Sequence, residues 1–201
     1  YNELKDLGLN VLEQPIEVMP VTHYTLGGAR VNEWAETTVP GLYAAGEVGG
    51  NVHGANRTSG NALAETQVFG QRAGVRAAQY ALGRPSPAID EALVSEESKR
   101  IYSFREERPN GIRPIEFKRK IKAVMHEHVH YRRHAGGLTM AIEMLRGLRA
   151  EELEFVQATI GSGIYNYEWE EALEVHAMVQ LAELVAASAL AREESRGHHW
   201  R

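Results

Sequence analysis

Residues 41 to 63, GLYAAGEVGGNVHGANRTSGNAL, constrain this chain more than any other stretch. They hold six glycines and no lysine, with Glu47, His53 and Arg57 set among small side chains. Glycine loses more freedom on folding than any other residue, so such a run gains little from burial and costs entropy. A helical pattern follows at once, from Ser59 or Asn61. A strand end, a bare loop and a helix start together make a cradle for a polar ligand. Backbone N–H groups stand open there, and the helix N-terminus adds partial positive charge. Glu47 offers a carboxylate to ligand hydroxyls, and Arg57 offers a forked cation to a carboxylate or phosphate. A simple glycine-rich turn with Arg57 in an ion pair explains the same composition equally well.

The chain changes character near residue 84. Before it, glycine is frequent and the apolar runs are short: PIEVMPV at 15 to 21, ARV at 29 to 31, GLYAA at 41 to 45. These suit short strands and tight turns bounded by Pro15, Pro20 and Pro40. The helix after the glycine-rich stretch keeps Leu63, Val68, Ala73, Val75, Ala78 and Leu82 at helical spacing and stops at Gly83 and Pro85. Its Ala73, Gly74, Ala77 and Ala78 would let it lie close to a sheet. GRPSPAI, 83 to 89, reads as a linker. Beyond it the pattern predicts helices over 88–104, 112–133, 138–148, 151–160 and 169–194, with Gly136 and Gly137 breaking the second from the third. In the last of these, Leu173, Val175, Ala177, Leu181, Leu184 and Leu190 form the predicted core stripe. The coarse reading is a helical bundle appended to an α/β portion.

Composition excludes some classes. The 201 residues carry a net charge of −5, which argues against a nucleic-acid footprint. There is no cysteine, so disulfides, thiolate metal sites and iron–sulfur ligation within the chain are ruled out. No uninterrupted apolar run approaches the roughly 18 residues that mark a membrane span. The chain opens on Tyr1 and reads as a fragment.

Several motifs in order carry a family resemblance. VMPVTHYTLGGARVN at 18 to 32, the glycine-rich stretch, and VFGQRAG at 68 to 74 resemble the flavoprotein subunit of succinate dehydrogenase and fumarate reductase. L-aspartate oxidase and adenylylsulfate reductase are relatives of that family. Its pattern is H-Y-x-x-G-G, G-L-Y-A-x-G-E, H-G-A-N-R and N-S-L. The tail ESRGHHWR, 194 to 201, resembles the family's E-S-R-G-x-H-x-R.

The resemblance implies an α+β fragment. Residues 1–15 would be the tail of a capping domain. Residues 16–84 would be the returning portion of a Rossmann-like FAD-binding domain, and 85–201 a C-terminal helical domain. It implies FAD as cofactor, with Glu47 contacting it and the backbone amides of Ala62 and Leu63 meeting the flavin ring. It implies that His23 and Arg57 bind a C4 dicarboxylate, and that hydride passes between flavin N5 and the C2–C3 unit. Arg196 and His198 would be structural. The partners implied are the dicarboxylate and an iron–sulfur protein, and the location is cytoplasmic or on the cytoplasmic face of a membrane. Tyr24 and His53 read as structural, and Gly27 and Gly28 as close-approach positions for flavin or substrate.

Departures matter too. N-S-L is Asn61-Ala62-Leu63 here, and Thr58-Ser59 follow the arginine where other residues are usual. No G-x-G-x-x-G fingerprint is present. The proton-shuttle arginine and the flavin-linking histidine lie upstream in the family, so no catalytic residue is expected in this chain. Half of a site, inactive alone, is the expectation, with L-aspartate oxidase as the alternative enzyme.

A rival from another class is His126-Glu127-His128-Val129-His130, which matches H-E-x-x-H and would make a zinc hydrolase. The longer metzincin pattern needs a histidine where Gly136 stands. A solvated helix face explains the motif more simply. The helices of 85–201 also admit a docking role toward an iron–sulfur partner, although packing within the bundle accounts for the last helix.

Overall fold

A computed structural model describes residues 2–17, 22–159 and 161–201. The chain divides into two compact units, Tyr1–Leu82 and Gly83–Arg201.

Unit 1 has little regular structure before its long helix. A short α1 spans Asn2–Asp6, and β1 (Ala29–Arg30) pairs in parallel with β2 (Gly49–Gly50). Of the predicted strands, ARV contributes β1 and GLYAA gives only the isolated bridge Glu36↔Tyr43, while Pro15, Ile16 and Glu17, the described part of the other, are not in a strand. Residues 18–21 of the first prediction lie outside the described residues. The β1–β2 pairing depends on Gly28. Ala29 N–H donates to Val48 O at 2.8 Å, and a Cβ on Gly28, whose φ is 151°, would sit 2.1 Å from that oxygen. Gly28 therefore serves close approach of the chain to itself, whereas Gly27 has nothing within 4 Å of its Cβ position.

α2 runs Asn61–Ala81 and ends one residue before Leu82. It grips the segment 32–46 through polar and cationic contacts rather than an apolar seam. Arg76 lies 4.5 Å from the Trp34 ring centroid, and Arg72 lies 5.7 Å from it while donating to Glu33 O at 2.7 Å. Asn32 organises that segment by accepting from Trp34 N–H and Glu36 N–H. Val68 and Val75 of α2, and Leu82 just past its end, are exposed.

Unit 2 is a helical domain. α3 is Glu91–Ser103, α4 Pro114–His128, α5 Ala135–Glu151 and α6 Tyr167–Ala191. Local signals set their starts. Asp90 caps α3, accepting from Ala92 and Leu93 N–H, and Pro114 opens α4 at a position whose N–H would be unused. Asn166 caps α6. His134 caps α5 by accepting from Gly137 N–H at 3.0 Å. A Cβ on Gly137 would come within 3.0 Å of the His134 ring, so Gly136 and Gly137 lie inside α5 rather than breaking it. The break falls at residues 129–134.

The predicted helix over 151–160 is replaced by one 3₁₀ turn, Leu153–Phe155, and an extended run. Ile112 N–H donates to Phe155 O and Gln157 N–H donates to Ile112 O, so backbone pairing with a distant segment wins over local propensity. Ile160 lies outside the described residues.

The core joins Phe117, Ile121 and Val124 of α4 to Leu138, Ala141 and Leu145 of α5 and a stripe on α6. That stripe is Ala172, Val175, Val179, Ala182, Ala186 and Ala189, spaced three and four apart as at a coiled-coil seam. It corrects the predicted one: Leu181 and Leu184 are 54 % and 63 % exposed. Small residues let α4 and α5 approach closely, which larger leucines would prevent. α6 is long and apolar enough to cross a membrane by length and composition, yet this stripe is packed inside the unit.

The C-terminal tail folds back on residues 131–133. Arg133 N–H donates to Trp200 O at 2.8 Å and Trp200 N–H donates to Tyr131 O. His199, not His198, is the buried residue of ESRGHHWR. Arg133 donates from Nη1 to His199 Nδ1 at 2.7 Å, and His199 Nε2 lies 3.1 Å from Arg192 O. Arginine only donates and a carbonyl only accepts, so His199 is neutral with its proton on Nε2. Burial first, and then the Arg133 charge, hold its pKa below the ordinary imidazole value.

Candidate functional site

The residues that sequence assigns to flavin and dicarboxylate all come from unit 1, and the glycine-rich stretch holds most of them. Residues 51–60 form turns, with Asn51 and Gly54 at positive φ, and deliver Gly60 as the N-cap of α2 at φ 86°. No side chain caps the first turn of α2, which lies at the positive end of a 21-residue helix and where Asn61 N–H donates to Thr58 O at 3.2 Å. Ala62 and Leu63 occupy that turn. Leu63 N–H partly serves Gly60 O at 3.2 Å, and its side chain is 76 % exposed.

Glu47 reaches across the loop. Its Oε1 accepts from Thr25 N–H at 2.8 Å, leaving the second oxygen for another donor. Behind it, Glu65 of α2 is buried at 5 % exposure and accepts from Gly46 N–H at 2.8 Å. Its other oxygen is buried without a partner among the described residues. Glu65 thus sets the turn that carries Glu47. The sequence motifs do not single it out, although an acid amid small residues one turn into the helix is a signal.

Arg57 sits over the Tyr24 ring, its Cζ 4.3 Å from the centroid. Nη1 reaches the carbonyl of the neighbouring Thr58 at 3.4 Å. Nε is shielded from solvent and has no partner among the described residues. Tyr24 Oη lies 3.5 Å from His53 Nε2, and the two rings meet edge to face at 5.7 Å. Burial first, then the carboxylates Glu65 and Glu47, raise the Tyr24 pKa above its ordinary value, so the phenol stays protonated. His23 precedes Tyr24 and is exposed. The structure thus brings Arg57, Tyr24 and His53 together, with Glu47 close by through Thr25. Tyr24 and His53 belong to this cluster more intimately than a structural reading implies.

Two profiles of known families divide the chain. One, FAD binding domain, matches residues 3–63, and the other, Fumarate reductase flavoprotein C-term, matches residues 118–201. The chain belongs to the succinate dehydrogenase and fumarate reductase flavoprotein family. It is 40 % identical over 198 residues to a fumarate reductase (CoM/CoB) subunit of Methanothermobacter marburgensis, covering 98 % of this chain and 35 % of that protein. L-aspartate oxidase 2-a, chloroplastic, of Nicotiana tabacum is 34 % identical over 96 % of this chain and 30 % of its own length. Mycobacterium smegmatis Sdh1, solved in complex with UQ1, superposes with a TM-score of 0.90 at 32 % identity, covering all of this chain and 34 % of that one. The chain therefore spans about a third of the relatives it matches. Within this flavoprotein family fold it holds a piece of the FAD-binding domain and the helical C-terminal domain.

The residues present suit FAD. A helix start with no side-chain cap and a carboxylate with one committed oxygen are groups that a ligand carrying phosphates and hydroxyls would complete.

The H-E-x-x-H stretch has a different geometry from the zincin reading. α4 ends at His128, so His130 lies off the helix, and its ring centroid is 5.2 Å from that of His126. Among the described residues no group of three or more histidine, aspartate or glutamate side chains is placed to hold a metal.

Proposed function

We propose that this chain supplies the substrate- and flavin-facing half of an FAD-dependent oxidoreductase that interconverts succinate and fumarate. The carrying observation is Arg57, a cation whose Nε is buried and unpartnered beside the loop matched to an FAD-binding domain. A buried donor without an acceptor is costly, and a substrate carboxylate would satisfy it in a bidentate, charge-assisted pair. His23 and Arg57 bind the two carboxylate ends of a C4 dicarboxylate and orient its C2–C3 unit. Glu47 holds FAD through a hydroxyl, and the Ala62 and Leu63 amides face the flavin ring. Bound FAD supplies the two-electron acceptor or donor.

Residues 1–15 are the tail of a capping domain, and the remainder of an FAD-binding domain covers the exposed Val68, Val75 and Leu82. The chain alone is accordingly inactive. Relatives named as parts of multi-protein enzymes point to a complex, and we assign an iron–sulfur protein as electron partner and a cytoplasmic or cytoplasmic-face location.

The test is the absorbance of the flavoprotein carrying this chain, before and after succinate. Bleaching of a flavin band by succinate supports the reading. A band indifferent to succinate and bleached by L-aspartate moves the assignment to L-aspartate oxidase, which the tobacco relative keeps in view. Arg57→Ala is expected to cost about 2–5 kcal/mol in kcat/KM, the range for stripping one partner from a buried charge pair. Wild-type turnover in that variant would overturn the role of Arg57. Glu47→Ala is expected to loosen FAD more than dicarboxylate, read as flavin lost on dialysis.

A further inference from the structure

We propose that Tyr24 is a positioning residue whose ring pins the Arg57 guanidinium with its Nε edge presented to a substrate carboxylate, while His53 braces the ring. The inference rests on the reading of Arg57 as the carboxylate-binding cation.

Arginine has a long, rotamer-rich side chain, and a carboxylate is held well only when the guanidinium plane is fixed beforehand. Hydrogen bonding does not fix it here. The bond from Arg57 Nη1 goes to the adjacent Thr58 carbonyl at 3.4 Å, long for such a bond. The contact that restrains the guanidinium is the Tyr24 ring, its centroid 4.3 Å from Cζ and well within cation–π range. A guanidinium held over a ring by its Cζ still has N–H groups to offer an acceptor, and here Nε is the buried N–H without a partner among the described residues. Tyr24 is itself held by the edge-to-face contact and hydroxyl approach of His53. His53 and Arg57 stand four residues apart in one loop, so the ring is gripped by two residues of the same segment. Tyr24 also follows His23 directly, so one backbone segment carries His23 and the ring that sets Arg57.

The test uses the flavoprotein carrying this chain, with fumarate as substrate. Malonate, a dicarboxylate with no C2–C3 unit to oxidise, serves as the binding probe, followed through the flavin absorbance. Tyr24→Leu is expected to raise the fumarate KM and the malonate Kd about tenfold, with a smaller effect on kcat. Tyr24→Phe, which keeps the ring, is expected to recover most of that loss. In an Arg57→Ala background Tyr24→Leu is expected to add nothing, because the residue acts through Arg57. Equal losses from Tyr24→Leu with and without Arg57 would overturn the inference while leaving the Arg57 reading intact. Normal malonate binding in Arg57→Ala alone would instead sink the underlying reading. Should Tyr24→Leu fail to retain flavin, Tyr24→Phe decides: a Kd as weak as that of Arg57→Ala means the ring is not what matters.

Discussion

The two units stay folded by different means. Unit 2 removes aliphatic surface from water: its cluster runs from Phe104 to Ala189 and links α4, α5 and α6. Among the described residues of unit 1, Val31 and Ala35 are the buried apolar side chains, and Leu42, Val48, Leu63, Val68, Val75 and Leu82 are exposed. Unit 1 is shaped instead by glycine backbone, an Asx-type hub at Asn32, stacked arginines and one buried carboxylate. Hydrophobic burial is non-directional and makes a self-sufficient scaffold, whereas polar and cationic contacts fix particular groups in particular orientations. Every candidate ligand-binding side chain lies in the second kind of architecture. A segment with so little core of its own is one that gains by binding something else.

The contrast breaks most readily in unit 2. Phe117 is fully buried at the centre of the cluster. Phe117→Ala is expected to cost about 3–5 kcal/mol from lost transfer energy and the cavity left behind, read by denaturant unfolding of the flavoprotein carrying this chain. If the units are as different as they look, the variants that stay folded at low temperature should keep their flavin. In unit 1 the most damaging small change is Gly28→Ala. Its methyl would lie 2.1 Å from Val48 O, so β1 must leave β2, at about 3 kcal/mol. The expected readout is loss of flavin, with the helical transition of unit 2 left in place. Retention of flavin by that variant would mean that the β1–β2 pairing does not shape the cradle.

Much of unit 2 was legible because helix signals are local. Periodicity located four of its helices to within about five residues at each end, and the capping residues Asp90, Pro114 and Asn166, which that reading did not use, set the observed starts. The errors have physical causes. Gly136 and Gly137 read as a break, but a histidine cap needs room over the first turn of α5. Leucines drew the α6 stripe to Leu181 and Leu184, although close packing of three helices favours the alanines beside them. The stretch predicted as a helix over 151–160 has helical composition, yet Phe155, Gln157 and Ala158 pair with Ile112 and Phe104 instead, a long-range choice no local window contains. In unit 1 the motifs single out Glu47 and Arg57 as candidates, but not what holds them. Glu65 and Tyr24 matter through tertiary contacts, and neither contact is encoded by spacing along the chain.

A smaller effect separates the units by charge. Glu168 at the start of α6 is 8 % exposed and accepts from Arg113 Nε at 2.8 Å and from the Thr159 N–H and hydroxyl at 2.7 and 2.6 Å. Burial alone would raise its pKa, but the Thr159 and Arg113 bonds outweigh it and hold the carboxyl below its ordinary value. Glu168→Gln is expected to cost about 2 kcal/mol, since the amide cannot accept from all three donors as a carboxylate does. Thermal unfolding of unit 2 in the intact flavoprotein reads the loss, and an unchanged midpoint would show the network to be dispensable.

The smallest predicted effect is a pH slope, and its sign follows from His199. The folded pKa lies below the ordinary 6.5 because burial and Arg133 disfavour the imidazolium. A group depressed in this way contributes its stability above the unfolded pKa and loses it as pH falls through the folded one. Protonation would also put a proton on Nδ1, against the Arg133 guanidinium that now donates to it. His176, pushed down by burial and then by Arg100 and Arg108, adds in the same direction. Stability of unit 2 should therefore decline from pH 6.5 downward, before the carboxylate range in which Glu168 begins to contribute. His199→Asn offers an acceptor and a donor without a titration, so it should flatten that first part of the slope even if it lowers stability throughout. An identical slope in His199→Asn would assign the acid sensitivity to His176 or to unit 1, and the contrast between a self-sufficient helical domain and a ligand-shaped one would lose its electrostatic half.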